Sequence, residues 1–530
     1  MIHQRKILKA IAYAILLCFT SLTGAQPLYA VPANNHTPSI NTPGAGVTVT
    51  PNGEILNIHQ TGQTAVNKWN DFSIGADATV NFTGTVDGFN SFNYVKDGPI
   101  SEIYGQLNAI GGNIFIANPA GVQIGNSAQI NVGSLYVTNR ELEQSHLDAI
   151  AGKNTAAAIG DYLRTNGTIA NPAAELMSLG SITSATSVTF DGSRIVLDTD
   201  RLFSGESGVG TGEMAKDNIK IFTNDENEVV LGYTSYTTDD PTKPDGEFAV
   251  HKEFDIIANG EKDTINGYMW VEDLFQLQAM NKDLNGWYAL RNAIDANYTA
   301  SMNNGAGFDP IGDGSQAFTG RFDGLGYNIF GLNINGTDYA GLFGYAGNGA
   351  YIRNFTINGG TITGGTNVGA AVGAFGPGAF ISNITNTADV TGTKNVGGVV
   401  GSGTGTENVT ELSDLVNIGS VKGEGSVGDE SNVGGIIGSM TNVTIAGETY
   451  NLGAVTGDKG NVGGIAGLAI NSTIGDNDDF RIYNQLNVTG GWNVGGIVGY
   501  IYGDSSISNV DNHGNITATG SINEQYAYHQ

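Results

Sequence analysis

Three carboxylates stand within the short stretch Gly475–Phe480 (GDNDDF): Asp476, Asp478 and Asp479. Clustered carboxylate oxygens are the donors a hard cation such as Ca2+ takes, but the stretch lacks the Gly and closing Glu of an EF-hand loop. A solvated turn is the plainer expectation, and cation binding there stays open. Histidine chemistry has seven candidates, at His3, His36, His59, His146, His251, His513 and His529. None forms the His-Glu-x-x-His pair that holds zinc on one helix face. The nearest stretch, HKEFD at His251–Asp255, lacks the second His and reads as surface. No Gly-x-Ser-x-Gly elbow occurs, and GSGTGTEN at Gly401–Asn408 lacks the Lys and helix of a phosphate loop. Aromatic side chains gather at Tyr339, Phe343, Tyr345 and Tyr351, and again at Trp492 and Tyr500. Exposed, they would stack on sugar rings; buried, they would fill corners of the fold, which is the expectation. No catalytic residues, cofactor or metal ligands are assigned.

One further stretch combines special backbone chemistry with regular flanks: IANPAGVQIG at Ile116–Gly125. A type I turn favours Asn first, Pro second and Gly fourth, and Asn118-Pro119-Ala120-Gly121 supplies all three. Ile114 and Ile116 before it, and Val122 and Ile124 after it, alternate as half-buried strands do. The local prediction is strand, corner, strand.

These corners need a scaffold, and composition says which kind. Of 530 residues 79 are Gly, about twice the ordinary share. Charged residues make up 14% and apolar ones 40%, so the chain is neither disordered nor, lacking a three-residue glycine period, collagenous. An all-β chain with many turns is expected. The net charge of −28 argues against nucleic acid as a partner, since phosphate contacts need Lys and Arg. Arg5, Lys6 and Lys9 precede an apolar run, Ala10–Phe19, too short to span a bilayer. Residues 1–30 therefore read as a secretory signal peptide, with cleavage after Ala25, Ala30 or Ala33, and no later stretch predicts a membrane span. The single cysteine, Cys18, falls inside that leader, so the exported chain is held by packing and ladders rather than disulfides.

Internal repetition is the strongest signal. NVGGVVG at Asn395–Gly401 returns as NVGGIIG at Asn432–Gly438, NVGGIAG at Asn461–Gly467 and NVGGIVG at Asn493–Gly499. Looser copies are NVGAAVG at Asn367–Gly373 and DYAGLFG at Asp338–Gly344. Between them recur Ile-x-Asn strands and short strands closing on Thr-Gly or Lys-Gly, as in ISNITNTADVTG at Ile381–Gly392. One such repeat cannot bury its own apolar face, so neighbours must stack into a β-solenoid. Each heptad is read as one apolar Gly-rich strand. Ahead of the repeats, Leu274, Leu277, Met280 and Leu284 at mostly helical spacing predict a short helix near 272–283. The Pro- and Asp-rich YTTDDPTKPDGEF at Tyr236–Phe248 reads as a linker, and the polar tail Ser521–Gln530 as a cap for the last coil.

Residues Phe92–Asn139, with Asn118-Pro119-Ala120-Gly121-Val122 at their centre, resemble the secretion domain of two-partner secretion exoproteins such as filamentous haemagglutinin. Glu54–Phe82 fits too, with Trp69 and Phe72 in a W-x-x-F setting; Ala120 departs from the more familiar second Asn. No clean copy of the family's Asn-Pro-Asn-Leu motif occurs, Asn171-Pro172 being displaced from where it belongs. The second half resembles the GLUG repeat, whose core stands at Gly341-Leu342-Phe343-Gly344. The first resemblance implies a right-handed parallel β-helix starting near residue 40. It also implies export through a dedicated outer-membrane pore whose periplasmic domains engage the secretion domain. Asn118, Pro119, Ala120, Gly121 and Val122 become the secretion motif.

The resulting map is signal peptide 1–30, secretion domain 31–205, β-rich connector 206–270, helix-containing junction 271–335 and GLUG-like solenoid 336–530. The expected role is a non-enzymatic adhesin, secreted through the periplasm to the bacterial surface, with an unidentified host-cell, glycan or bacterial-surface ligand. The alternative is a carbohydrate-active β-helix, a polysaccharide lyase or hydrolase. An export-linked scaffold or a contact-dependent toxin is the other rival, the toxin being the more remote.

Overall fold

The computed structural model describes residues 32–205, 214–238, 246–248, 250–336, 338–406, 410–425, 431–475 and 482–520. The leader with Cys18, the Asp476, Asp478 and Asp479 cluster, and the tail Ser521–Gln530 lie outside the described residues. Short strands pair almost throughout in parallel and stack coil on coil, as in a parallel β-helix. The described chain forms two compact units: residues up to Thr234 together with His251–Tyr268, and Ser235–Val250 together with Met269 onward.

In the first unit one sheet is built from Thr64–Asp71, Asn90–Val95, Gln106–Ala117, Gln129–Thr138 and Ser181–Asp191 in parallel register. A second carries Ser101–Ile103, Val122–Ile124, Glu175–Ser178, Arg194–Asp198 and Val229–Tyr233. Ile114, Ile116, Val122, Ile124, Ile195 and Leu197 are fully buried. The first sheet also carries a column of rings, Phe92, Phe115 and Tyr136, whose centroids lie 5.9 and 5.5 Å apart. Two helices the sequence reading did not anticipate, Gln144–Ala151 and Ala156–Asn166, bury Leu147, Ile150, Ile159 and Leu163 against these rings. Their starts are capped: Glu143 and His146 form a capping box, and the Thr155 hydroxyl accepts from the Ala158 amide, so amides that a helix start leaves orphaned find partners.

In the second unit the expected helix occurs as Leu274–Ala279 followed by a 3-10 turn, Met280–Lys282. Leu274, Leu277 and Met280 are buried as their spacing requires, and Asp273 caps the Gln276 amide.

The heptads differ from expectation in one respect. Each spans a corner between two sheets rather than forming one strand, as in Asn432–Gly434 and then Ile437–Thr441. The glycines explain why. A Cβ on Gly434 would lie 2.0 Å from the Ile437 oxygen, one on Gly435 2.3 Å from Asn451 Cγ, and one on Gly438 2.4 Å from the Val396 nitrogen. Only a residue without a Cβ admits so close a backbone approach. The valines stack inward, Val396 on Val433 on Val462 on Val494. In the first copy Asp338 faces Thr366 and Ala340 faces Val368, so Tyr339 rather than Asp338 stands level with Asn367. Tyr339 and Asn367 also share the left-handed backbone, with φ of 55° and 60°.

Among the described residues of this second unit, two rows of asparagines run along the coils. The first is partly exposed: Asn395, Asn432, Asn461 and Asn493 each donate an amide hydrogen to the preceding member, beginning at Asn367, over 2.7–2.9 Å. The second is buried and runs the other way, with Asn386, Asn417, Asn451 and Asn484 each donating to the following member, ending at Asn512. Each donor of the buried row spends its other amide hydrogen on a carbonyl two residues ahead, for example Asn451 on Gly453 at 2.8 Å. A buried amide is tolerated because all of these bonds are made.

Candidate functional site

Strand Gln106–Ala117 delivers the chain to Asn118, and Val122–Ile124 carries it on into the second sheet. The predicted turn closes through the Gly121 amide, which donates to the Asn118 oxygen at 2.9 Å. Asn118 is fully buried, and every polar atom is used. Its backbone amide donates to Thr138 O at 3.0 Å, and its side-chain oxygen accepts from the Ala120 amide at 2.9 Å. Its side-chain amide donates to Pro99 O at 2.8 Å and Ser101 Oγ at 3.0 Å. One side chain therefore ties its own turn to the coil before it. Pro119 is half-buried and Ala120 exposed at the apex. Gly121 has φ of 113°, and a Cβ there would lie 2.7 Å from Glu175 O. Glycine is required on both counts. Val122 is buried between Ser101 and Leu176.

Sequence reasoning missed the partners of this turn. Thr138 pairs with Ala117, so Asn139 stacks beside Asn118. One coil on, Asn139 spends its side-chain amide in the same way, donating to Ala174 O at 3.0 Å and Ser193 Oγ at 3.1 Å, while its side-chain oxygen has no hydrogen-bond partner among the described residues. The available signal was that both asparagines end a long apolar strand, at Ile116-Ala117-Asn118 and Val137-Thr138-Asn139. Asn171-Pro172-Ala173-Ala174 forms the same turn again: the Ala174 amide donates to Asn171 O, and the Ala173 amide to Asn171 Oδ1, each at 3.1 Å. Asn171, unlike Asn118, is exposed.

Beside Ser101 lies Glu102, with 6% of its surface exposed and one carboxyl oxygen without a hydrogen-bond partner. Burial, and then the nearby Asp71 carboxylate, push its carboxyl up to about 7, since both disfavour the charged form. Trp69 and Phe72 are core residues in edge-on contact at 5.0 Å. Trp69 donates its ring N–H to Asn93 at 3.0 Å.

The described histidines are not brought together. His36 pairs with Asp71, His146 belongs to a helix cap, His59 bonds to Thr83, and His513 sits edge-on to Tyr483. Among the described residues no group of three His, Cys, Asp or Glu side chains is placed to hold a metal. The aromatic residues divide. Phe343 fills the core and Tyr339, Tyr345 and Tyr351 are half-buried, whereas Trp492 (56%) and Tyr500 (42%) are exposed, against the corner-filling expectation. Tyr500 stands level with the half-buried Leu468 in a strand that is paired on one side only among the described residues.

Among the described residues no helix is long and apolar enough to cross a membrane. Residues 34–236 match the family model of the TPS secretion domain. A halomucin from Haloquadratum walsbyi is 37% identical over 157 residues, 28% of this chain and 2% of that protein. A heme/hemopexin-binding protein from Haemophilus influenzae is 36% identical over 92 residues, 17% of this chain and 10% of that protein. The chain thus spans a tenth or less of the length of either relative. The crystal structure of the HMW1 secretion domain from Haemophilus influenzae aligns at 16% identity and a TM-score of 0.23, over 90% of this chain and 100% of that one. A likeness that low carries no argument, and the fold rests on the parallel ladders themselves. Residues 34–236 of this chain are a TPS secretion domain.

Proposed function

We propose that the folded protein is a haemagglutinin-like adhesin that acts at the bacterial surface by binding rather than by chemistry. Its export motif in this reading is Asn118, Pro119, Ala120, Gly121 and Val122, and its coils after residue 336 are GLUG-type repeats. The observation that carries the reading is the secretion domain at residues 34–236, which belongs to an export family and not to an enzyme family. The stacked coils supply a long, regular surface suited to contact.

The burial of Asn118 decides how the motif is tested. Removing that side chain would unsatisfy groups in two coils, so lost secretion could simply report lost folding. Ala120 is exposed, and an Ala120→Arg or Pro119→Ala variant leaves the buried amide in place. Secretion in cells bearing the partner pore is expected to fall several-fold for these variants, while the Tm of the purified protein stays within a few degrees. Unchanged secretion would make the turn architecture alone. For the adhesin role, the purified full chain should coat cells or surfaces and block attachment. Turnover of polysaccharide by that same preparation would favour the lyase or hydrolase alternative.

A further inference from the structure

We propose that a cleft on the secretion domain binds an acidic saccharide, with Lys68 and Lys96 receiving its carboxylate. The proposal rests on the reading that the folded domain works outside the cell, and it assigns a ligand class to that domain. The cleft encloses about 420 Å³, within the size range of small-ligand sites. It lies between strand residues and the start of helix Gln144–Ala151. Strand Thr64–Asp71 brings in Lys68, and Lys96 follows strand Asn90–Val95. Leu142, just ahead of the first helix, and Leu147 on that helix form the facing wall.

That wall is fixed in advance. The buried Tyr94 hydroxyl donates to Leu142 O at 3.0 Å and accepts from the Leu142 amide at 2.9 Å. Its register partner on the neighbouring strand is Lys68. A site held this way loses little freedom when a ligand enters.

The charges are unusual for this chain, which has 51 acidic and 23 basic residues. Lys68 Nζ donates to the neutral Gln144 side chain, and Lys96 is exposed and joins no ion pair among the described residues. Two ammonium groups thus line one cleft without a carboxylate bonded to either. Asp97 is the one acid lining it, and it is exposed. Asn41, Asn70 and Gln144 also line it, and their amides, which both donate and accept, match sugar hydroxyls. Trp69 and Tyr94, both buried, close its floor. Amines for a carboxylate and amides for hydroxyls, set in a cleft rather than along an open strand edge, describe a uronate-type sugar better than an extended peptide.

The test is calorimetric titration of the purified full chain with trigalacturonate, its methyl ester, sulfated dextran and poly-glutamate. Trigalacturonate should bind and its neutral ester should not. Lys96→Met and Lys68→Met should each weaken binding at least about tenfold, the scale of one lost charged hydrogen bond. Asp97→Asn should tighten it, and Lys220→Met, an equal charge change on an exposed lysine outside the cleft, should leave it unchanged. If Lys68→Met lowers Tm, Lys96→Met still decides, because that side chain is exposed and makes no bond among the described residues. Absence of trigalacturonate binding, equal losses in Lys220→Met, or equal binding of poly-glutamate would each overturn the proposal. Equal binding of sulfated dextran would overturn the carboxylate assignment. Attachment to cells without trigalacturonate binding would sink this inference and leave the adhesin reading standing; trigalacturonate binding without attachment would do the reverse.

Discussion

Asparagine does two different jobs at two sets of buried corners, although the secretion domain also carries a half-buried row of its own, in which Asn131, Asn108 and Asn81 each donate to the preceding member, ending at Asn57. In the coils from residue 338 onward a buried Asn meets another Asn one coil along, so Asn417, Asn451 and Asn484 make interchangeable bonds. In the secretion domain Asn118 meets Pro99 and Ser101, and Asn139 meets Ala174 and Ser193, partners set by each individual corner. A repeated bond stabilises a row in which every member depends on its neighbours. An individual bond stabilises one corner, and its loss should stay there.

The largest expected effect is Gly435→Ala in the repeats, where a Cβ would lie 2.1 Å from Gly464 O and 2.3 Å from Asn451 Cγ. Overpacking together with a displaced buried amide should cost about 4 kcal/mol in urea unfolding. Amide exchange should rise from Asn432–Gly434 outward into neighbouring coils; exchange confined to that one corner would mean that the row is not cooperative. Next, Asn118→Ala in the secretion domain should cost about 3 kcal/mol, because it leaves Ser101, Pro99 and the Ala120 amide short of partners. Here increased exchange should remain close to the turn.

Glu102 gives a pH-dependent distinction. Its folded carboxyl titrates near 7, above its ordinary value of 4.5. Between those values the folded state holds a proton that the unfolded state has released. Stability from this group is full below about 4.5 and is lost as pH rises through about 7. Thermal melts of wild type minus Glu102→Gln should show that slope, and a flat difference would remove it. The smallest effect belongs to Asn171→Ala, the same turn as Asn118 with an exposed side chain, at under about 1 kcal/mol. A loss equal to that of Asn118→Ala would show that burial is not what separates the two turns.

The coils were readable because stacking imposes a period, and a period survives in a single sequence. The Asn118 turn was readable because Asn, Pro and Gly each have a fixed place in turn chemistry. The corner inside the heptad was not, since NVGGIIG alternates well enough for one strand and only close backbone approach forbids it. The two helices beside the ring column were missed because each is short: only Leu147 with Ile150, and Ile159 with Leu163, mark their buried faces. Ser101, Asn139 and Glu102 acquire meaning only from the coil stacked next to them. No local spacing carries that information.

The two Asn rows donate in opposite senses along the stack. A row of aligned amide dipoles, like a helix, accumulates partial charge at its ends as it lengthens. Two opposed rows cancel most of that field at every length, as alternating strands do in a sheet. Coils of this kind can therefore be multiplied or deleted without building up an axial voltage. For a repeat protein, length becomes electrically neutral territory in which variation is tolerated.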